Sequence, residues 1–330
     1  MTAPLLAVEG LSVRFRSGGR MLPAVDGLDI AIAAGETVAV VGESGCGKSV
    51  TALAIMGLLP APPDCAVAGR AALDGVDLLS LPPEGLRRLR GRAMAMVVQE
   101  PRTSLNPVFT VGDQIAEAVR VHTACSARAA RARAVELLEL VRIPDAARRL
   151  DDYPHRFSGG MRQRVMIAIA MACDPRLLIA DEPTTALDVT IQAQILDLLG
   201  DLQARFGMAL LLITHDLGVV ARMARRVVVM YAGRKVEEAP LRPLFAAPRH
   251  PYTQGLMRAS PHHAPAGGGR RLAEIPGVVP PLDALPLGCA FAPRCPVAFD
   301  RCRDERPAVL PAGDGRLAAC FRAAGEAAPA

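Results

Sequence analysis

The sequence predicts an α/β fold built around a phosphate-binding loop, and two segments carry that prediction. The first is Gly42-Glu43-Ser44-Gly45-Cys46-Gly47-Lys48-Ser49, which follows an apolar strand at 37–41 and precedes a helix-like run at 50–59 that opens with Val50. Glycines let such a loop curl until its N–H groups point at phosphate oxygens, and the helix start behind it adds a positive dipole end. Lys48 can reach β- and γ-phosphates, and the Ser49 hydroxyl can ligate Mg²⁺. The second segment is Leu177-Leu178-Ile179-Ala180-Asp181-Glu182, an apolar strand ending in two carboxylates. Asp181 would hold the Mg²⁺ shell, while Glu182 would orient and deprotonate water for in-line attack on a γ-phosphate. Taken singly, the first could be a Gly-rich strand-to-helix turn and the second a buried strand; in this order they point to nucleotide hydrolysis.

The remaining elements follow from the alternation and breakers of the chain. Residues 6–15, 28–33 and 37–41 read as strands, with a Gly-containing turn at 16–20. Within 67–79, Asp74-Gly75 predicts a tight hairpin turn and a small antiparallel piece. A strand at 93–98 ends on Gln99, whose amide could serve Mg²⁺ or the attacking water, or could be an ordinary strand-end polar group. From 101 to 157 the pattern becomes helical, most clearly at 127–141, where Val135, Leu138 and Val141 recur on one face. Ser158 is placed to cap a helix running through residue 171. An apolar strand at 210–214 ends at His215, a residue that is structural in many strands but would here emerge beside Glu182 in a parallel sheet. Beyond about residue 239 the composition turns to Pro, Gly, Arg and His, with a turn at Gly267–Gly269 and no 20–50-residue repeat.

Composition agrees with an enzyme that does not itself span a bilayer. The 330 residues suffice for a nucleotide domain and a smaller appendage. Hydrophobic content is 51%, yet no uncharged apolar run reaches the roughly 18–20 residues a transmembrane helix needs. The N-terminus lacks the basic region and apolar core of an export signal. The net charge of +5 comes largely from Arg in 87–92, 128–133 and 148–149, which reads as solvated helix faces. Three Tyr and no Trp leave few stacking platforms, against a nucleic-acid partner.

With Phe157-Ser158-Gly159-Gly160-Met161-Arg162-Gln163 lying some twenty residues before Asp181, the chain resembles the ATP-binding subunits of ABC transporters over nearly its whole length. The resemblance implies a P-loop NTPase fold: an ABC ATPase core with an antiparallel β subdomain and a helical subdomain, plus a small Cys-containing extension. It implies a nucleotide-binding domain over 1–247, with the helical subdomain at about 101–171, and an extension over 248–330. It makes 42–50 the Walker A site for ATP and Mg²⁺, and Asp181 with Glu182 the Walker B site. Gln99 falls at the Q-loop, Ala186-Leu187-Asp188 at the D-loop and His215 at the switch histidine. Ser158, Gly159, Gly160 and Gln163 form the signature segment, which in the family binds the γ-phosphate of ATP held by the opposite subunit; FSGGMRQR departs from the common LSGGQ form. Phe15 sits where the family places an adenine-stacking aromatic, although its alternation with Val13 would equally suit a core strand.

Two segments resemble oligopeptide and dipeptide importers in particular: Pro101-Arg102-Thr103-Ser104-Leu105-Asn106-Pro107, and Arg249-His250-Pro251-Tyr252-Thr253-Gln254-Gly255-Leu256. The implied partners are a second ABC ATPase chain, two permease subunits and, through them, a periplasmic or extracellular solute-binding protein, with this chain peripheral on the cytoplasmic side of the inner (plasma) membrane. An importer for nickel, glutathione or another small solute would keep every catalytic residue. A soluble ABC ATPase acting on nucleic acid or ribosomes is the rival from another class; the uninterrupted single core speaks against it.

Eight cysteines in such a chain suggest reduced thiols or a metal site. Cys289, Cys295, Cys302 and Cys320 are separated by five, six and seventeen residues, and four thiolates can surround a zinc ion or an iron–sulfur cluster. In the resembling importer subunits such a set holds a 4Fe-4S cluster. Cys46, Cys65, Cys125 and Cys173 are scattered and read as small buried residues. Alkylation of Cys46, inside the phosphate loop, would block ATP sterically.

Overall fold

The computed structural model describes residues 3–99, 104–185, 187–260 and 274–323. The expectations on Pro101, Arg102, Thr103, Ala186 and Gly267–Gly269 lie outside the described residues. The described residues form two compact units, one drawn from within Pro4–Ile32, Thr37–Leu79 and Ile213–Ala330, the other from within Met1–Ala3, Ala33–Glu36 and Ser80–Leu212.

In the first unit, β1 (Leu6–Ser17) and β2 (Arg20–Ile32) form a long antiparallel hairpin. The strand expected at 28–33 extends back to Arg20 because β1 offers it a partner along its length. On its other side β1 pairs with β4 (Cys65–Leu73), and β5 (Val76–Asp77) folds back onto β4. The reversal is the predicted Asp74-Gly75 turn: both residues are left-handed, at φ 50° and 80°, which suits the twist of a two-residue hairpin. Elsewhere in the unit β3 (Thr37–Val41) runs parallel to β9 (Arg226–Tyr231), and β10 (Arg234–Pro240), β12 (Leu317–Ala318) and β11 (Leu310–Pro311) add antiparallel strands in that order. All five residues of β3 are buried, as expected of a parallel strand covered on both faces. Helix α1 (Lys48–Met56) follows β3 through the phosphate loop.

The same unit holds the end of the chain. Helices α8 (Leu217–Met223), α9 (Leu241–Ala246) and α10 (Pro251–Ala259), then a turn at 292–294 and the short α11 (Asp300–Asp304), complete it. The His-Pro-Tyr segment opens α10, with Pro251 at its first position. The residues beyond 248 share a core with β9: the rings of Tyr231, Tyr252 and Phe291 meet with centroids 4.7, 5.2 and 5.4 Å apart, and all three are fully buried among Val227, Val229, Ala239 and Leu244. Such ring pairs add about 0.5–1.5 kcal/mol each beyond the area they bury.

In the second unit, strands β8 (Ala209–Ile213), β7 (Leu177–Asp181) and β6 (Met94–Val97) lie side by side, with β6 and β7 parallel. The helices are α2 (Pro83–Leu89), α3 (Val111–His122), α4 (Ala127–Leu140), α5 (Ala146–Arg149), α6 (Gly159–Ala170) and α7 (Val189–Phe206). Side-chain caps fix where four of them begin: Thr110, Ser126, Ser158 and Asp188 each accept a backbone N–H from the residue three positions on. In α4 the buried stripe is Ala130, Ala134, Leu137 and Leu138, whereas Val135 is only half-buried. The small residues turn inward because α4 packs closely on its neighbours, a constraint that apolar periodicity does not register.

Candidate active site

The phosphate loop is held by glycines that admit no side chain. A Cβ on Gly42 would stand 2.3 Å from the Met230 carbonyl oxygen and 2.7 Å from Cys46 Sγ, and one on Gly47 (φ 98°) would stand 2.6 Å from the Ala24 oxygen. Lys48, only 5% exposed, folds its ammonium back over the loop and donates to the carbonyl oxygens of Gly42 at 2.8 Å and Glu43 at 3.0 Å. Ser44 and Gly45 are exposed at the rim; Ser49 and Val50 are half-buried at the start of α1. Cys46 is wholly buried, and desolvation pushes its thiol pKa up, with the Lys48 ammonium working against that shift. The alkylation foreseen for Cys46 therefore meets a thiol that is both hidden and protonated. Phe15, opposite Leu22 and Cys65, keeps part of its ring at the surface, while Val13 beside it is fully buried. His215 stands exposed just after β8, and the next residue, Asp216, caps α8.

The acidic residues lie in the second unit. Asp181 ends β7 and is 4% exposed. Glu182 follows in the left-handed region at φ 46°, a conformation that costs a residue with a Cβ about 1–3 kcal/mol and recurs at functional sites. Its Oε2 accepts from Gln99 Nε2 at 2.9 Å and from Thr185 Oγ1 at 2.8 Å. Gln99, expected at Mg²⁺ or the attacking water, places its amide nitrogen on the Glu182 carboxylate. Thr185 was missed, although a hydroxyl three residues after a strand-end carboxylate is a recognisable local partner.

The Ser-Gly-Gly segment is split between surface and core. Ser158 and Gly159 are exposed, and Ser158 Oγ caps α6 by accepting from the Met161 N–H at 3.3 Å. Gly160 is buried, and a Cβ there would lie 2.5 Å from Ile191 Cγ2 in α7. Gln163 is 1% exposed, with its Nε2 buried and without an acceptor among the described residues. Three residues apart on a helix, Gly160 and Gln163 share the inward face, whereas Ser158 and Gly159 are the exposed part of the segment. Asp188, expected at the nucleotide through the D-loop, caps α7 by accepting from the Ile191 N–H at 2.9 Å.

The four C-terminal cysteines converge. Cys289, Cys295, Cys302 and Cys320 all line one cavity of about 20 Å³, together with Phe291, Phe299 and Phe321. Burial and the neighbouring cysteines raise the Cys289 thiol pKa to about 11. Among the described residues, however, no three Cys, His, Asp or Glu stand as a ready ligand set for a metal ion.

Comparison with known proteins defines the class first. The ABC transporter family matches residues 25–185, and the oligopeptide/dipeptide transporter C-terminal region matches 236–302. The dimeric ATP-binding cassette MJ0796, solved in a post-hydrolysis state with ADP and Pi, superposes with a TM-score of 0.64 at 27% identity, covering 72% of this chain and 98% of that one. The fold is that of an ABC ATPase. The dipeptide transport ATP-binding protein DppD of Escherichia coli is 53% identical over 316 residues, and the oligopeptide transport ATP-binding protein AppD of Bacillus subtilis 51% identical over 317; each match covers 96% of both chains. The chain belongs to the ABC transporter family, among its peptide-import ATP-binding proteins.

Proposed function

We propose that this chain is the ATP-hydrolysing subunit of an importer for di- or oligopeptides. The observation that carries the reading is likeness to DppD and AppD through the C-terminal region as well as the ATPase core. Among the described residues no helix is long and apolar enough to cross a membrane, so transport requires permease subunits, with this chain peripheral on their cytoplasmic face and a solute-binding protein delivering substrate from the far side. The dimeric state of the solved cassette supports a second ATPase chain as partner, and we take that partner to be a different chain.

In this reading the loop N–H groups and Lys48 bind the ATP phosphates, with Lys48 exchanging its carbonyl contacts for phosphate oxygens. Phe15 stacks on adenine. Oxygen donors suit Mg²⁺, and Ser49, Asp181 and Gln99 would hold it; when bound it would supply positive charge against the β- and γ-phosphates. Glu182 takes the proton of the attacking water, its carboxylate oriented by Gln99 and Thr185, and His215 contributes from the end of β8. Ser158 and Gly159 face the nucleotide of the partner chain. ATP closes the pair, hydrolysis releases it, and the permeases convert the cycle into alternating access.

The proposal extends to a 4Fe-4S cluster on Cys289, Cys295, Cys302 and Cys320, supported by their convergence on one cavity. A void of about 20 Å³ holds about one water molecule, less than a four-iron cluster occupies, and no step of hydrolysis passes through it. Anaerobically purified protein should be brown, with iron and sulfide in comparable amounts, and Cys295→Ser or Cys302→Ser should bleach it. A colourless protein with stoichiometric zinc, or with no metal, would overturn the cluster.

The transport reading is tested by reconstituting the chain with the permeases, a partner ATPase and a binding protein of a peptide importer. Peptide-loaded binding protein should stimulate ATP hydrolysis and peptide uptake. Stimulation by nickel or glutathione and not by peptides would move the chain to a sister importer.

A further inference from the structure

A carboxylate inside a loop that must hold a polyanion is electrostatically misplaced unless a cation accompanies it. Glu43 is such a carboxylate, and its cation comes from 251 residues away in the C-terminal extension. Arg294 reaches it with both terminal nitrogens, Nη1 to Oε2 at 2.6 Å and Nη2 to Oε1 at 3.0 Å, the bidentate geometry that suits guanidinium and carboxylate. The remaining donors of Arg294 are also engaged: Nε with the Pro276 carbonyl at 2.9 Å, Nη1 with Tyr231 Oη at 3.3 Å and Nη2 with the Ile275 carbonyl at 3.3 Å. The guanidinium, 5% exposed, lies 5.8 and 5.9 Å from the ring centroids of Tyr231 and Phe291. The backbone is held as well, because the Glu43 N–H donates to Tyr252 Oη at 2.8 Å. The Glu43 carbonyl in turn accepts from Lys48. One loop residue is thus fixed through its N–H and carboxylate by the extension, and through its carbonyl by the lysine that meets phosphate.

We propose that Arg294 and Tyr252 are positioning residues of the ATPase: the extension sets the geometry of the phosphate loop and neutralises Glu43, so that ATP affinity depends on a segment outside the nucleotide-binding motifs. Arg294 directly precedes Cys295, which places this clamp at the edge of the cysteine-lined cavity. Arg294 is a site that composition and motif reading missed; an acidic residue within a phosphate loop was the signal that a cation had to be found for it.

The inference rests on the phosphate loop as the ATP site, and one control separates the two. MgATP binding to the full chain is measured by calorimetry for wild type, Lys48→Ala, Arg294→Gln, Glu43→Gln and the double variant Arg294→Gln/Glu43→Gln. If Lys48→Ala binds like wild type, the ATP-site reading fails and the clamp fails with it. With Lys48→Ala impaired, Arg294→Gln should weaken binding on the order of tenfold, within the usual range of coupling between sites. Adding Glu43→Gln should recover most of that loss, because it removes the carboxylate left without its cation. Unchanged affinity in Arg294→Gln would overturn the proposal. So would a loss that Glu43→Gln leaves unrelieved, since that is what mere loosening of the extension predicts. Arg294→Lys, which keeps the charge but not the fork, should bind ATP between wild type and Arg294→Gln; affinity no better than that of Arg294→Gln would contradict the electrostatic part of the clamp.

Discussion

His250 offers a pH-dependent test of how the extension is locked to the core. The ring is 2% exposed, its Nδ1 accepts the Tyr252 N–H at 3.0 Å as the cap of α10, and its other nitrogen donates to the Ala319 backbone. In the same knot, the N–H groups of Arg249 and of His250 itself donate to the fully buried Glu237. Protonating Nδ1 would destroy the acceptor that caps α10 and place a charge in an apolar pocket, so burial holds the His250 pKa down at about 4 against an ordinary 6.5. Because the folded value is depressed, the neutral ring is the form that folding selects. Its contribution is complete above about pH 6.5 and is lost as pH falls toward 4. With those two values the loss between about pH 7.5 and about pH 4.5 is about 2.5 kcal/mol. The assay is urea unfolding across that range in wild type and His250→Asn, read by tyrosine emission; Trp is absent from the chain, and two of its three tyrosines, Tyr231 and Tyr252, lie in this cluster. The variant should lack about 2.5 kcal/mol of the wild-type pH dependence. Identical slopes in the two proteins would refute the argument that His250 is buried neutral.

Three other outcomes follow from the site geometry. Gly160→Ala should destabilise this chain on its own by about 1–3 kcal/mol through overpacking against Ile191, and Ile191→Ala should relieve much of it; a stability loss unaffected by Ile191→Ala would contradict the contact. Gly159→Ala, whose Cβ would sit at an ordinary 3.7 Å from Leu187 Cδ2, should change stability by less than about 0.5 kcal/mol, so bulkier residues at position 159 are the cleaner probe of a partner's nucleotide: in a defined pair with an intact second chain, one composite site should fail and not both. Maleimide should label partly exposed Cys125 well before Cys46, whose thiol is buried and protonated at neutral pH; labelling at equal rates would mean the loop opens readily.

Local chemistry made much of the fold legible. The Asp74-Gly75 turn, the cap Ser158, and the five-residue apolar strands before the phosphate loop and before Glu182 each obey rules that act over a few residues. The phosphate loop and the paired carboxylates were legible for the same reason. What escaped depended on packing across long separations. Gly160 and Gln163 look like motif residues, but whether a helix turns them outward is decided by α7 against α6. Arg294 carries no local mark; its role arises only because the extension folds back onto Glu43. Gln99 was recognised as a site residue, yet its partner, Glu182, is settled by side-chain geometry 83 residues away.

The central claim is that this chain hydrolyses ATP with Glu182 as the base. The most direct measurement is ATP binding and turnover of Glu182→Gln, assembled with its partner subunits, beside wild type. The amide keeps the shape and the hydrogen bonds available at that position but accepts no proton, so binding should persist while turnover falls by roughly 10²-fold or more. Turnover equal to wild type, with nucleotide bound normally, would remove Glu182 from that role and contradict the account.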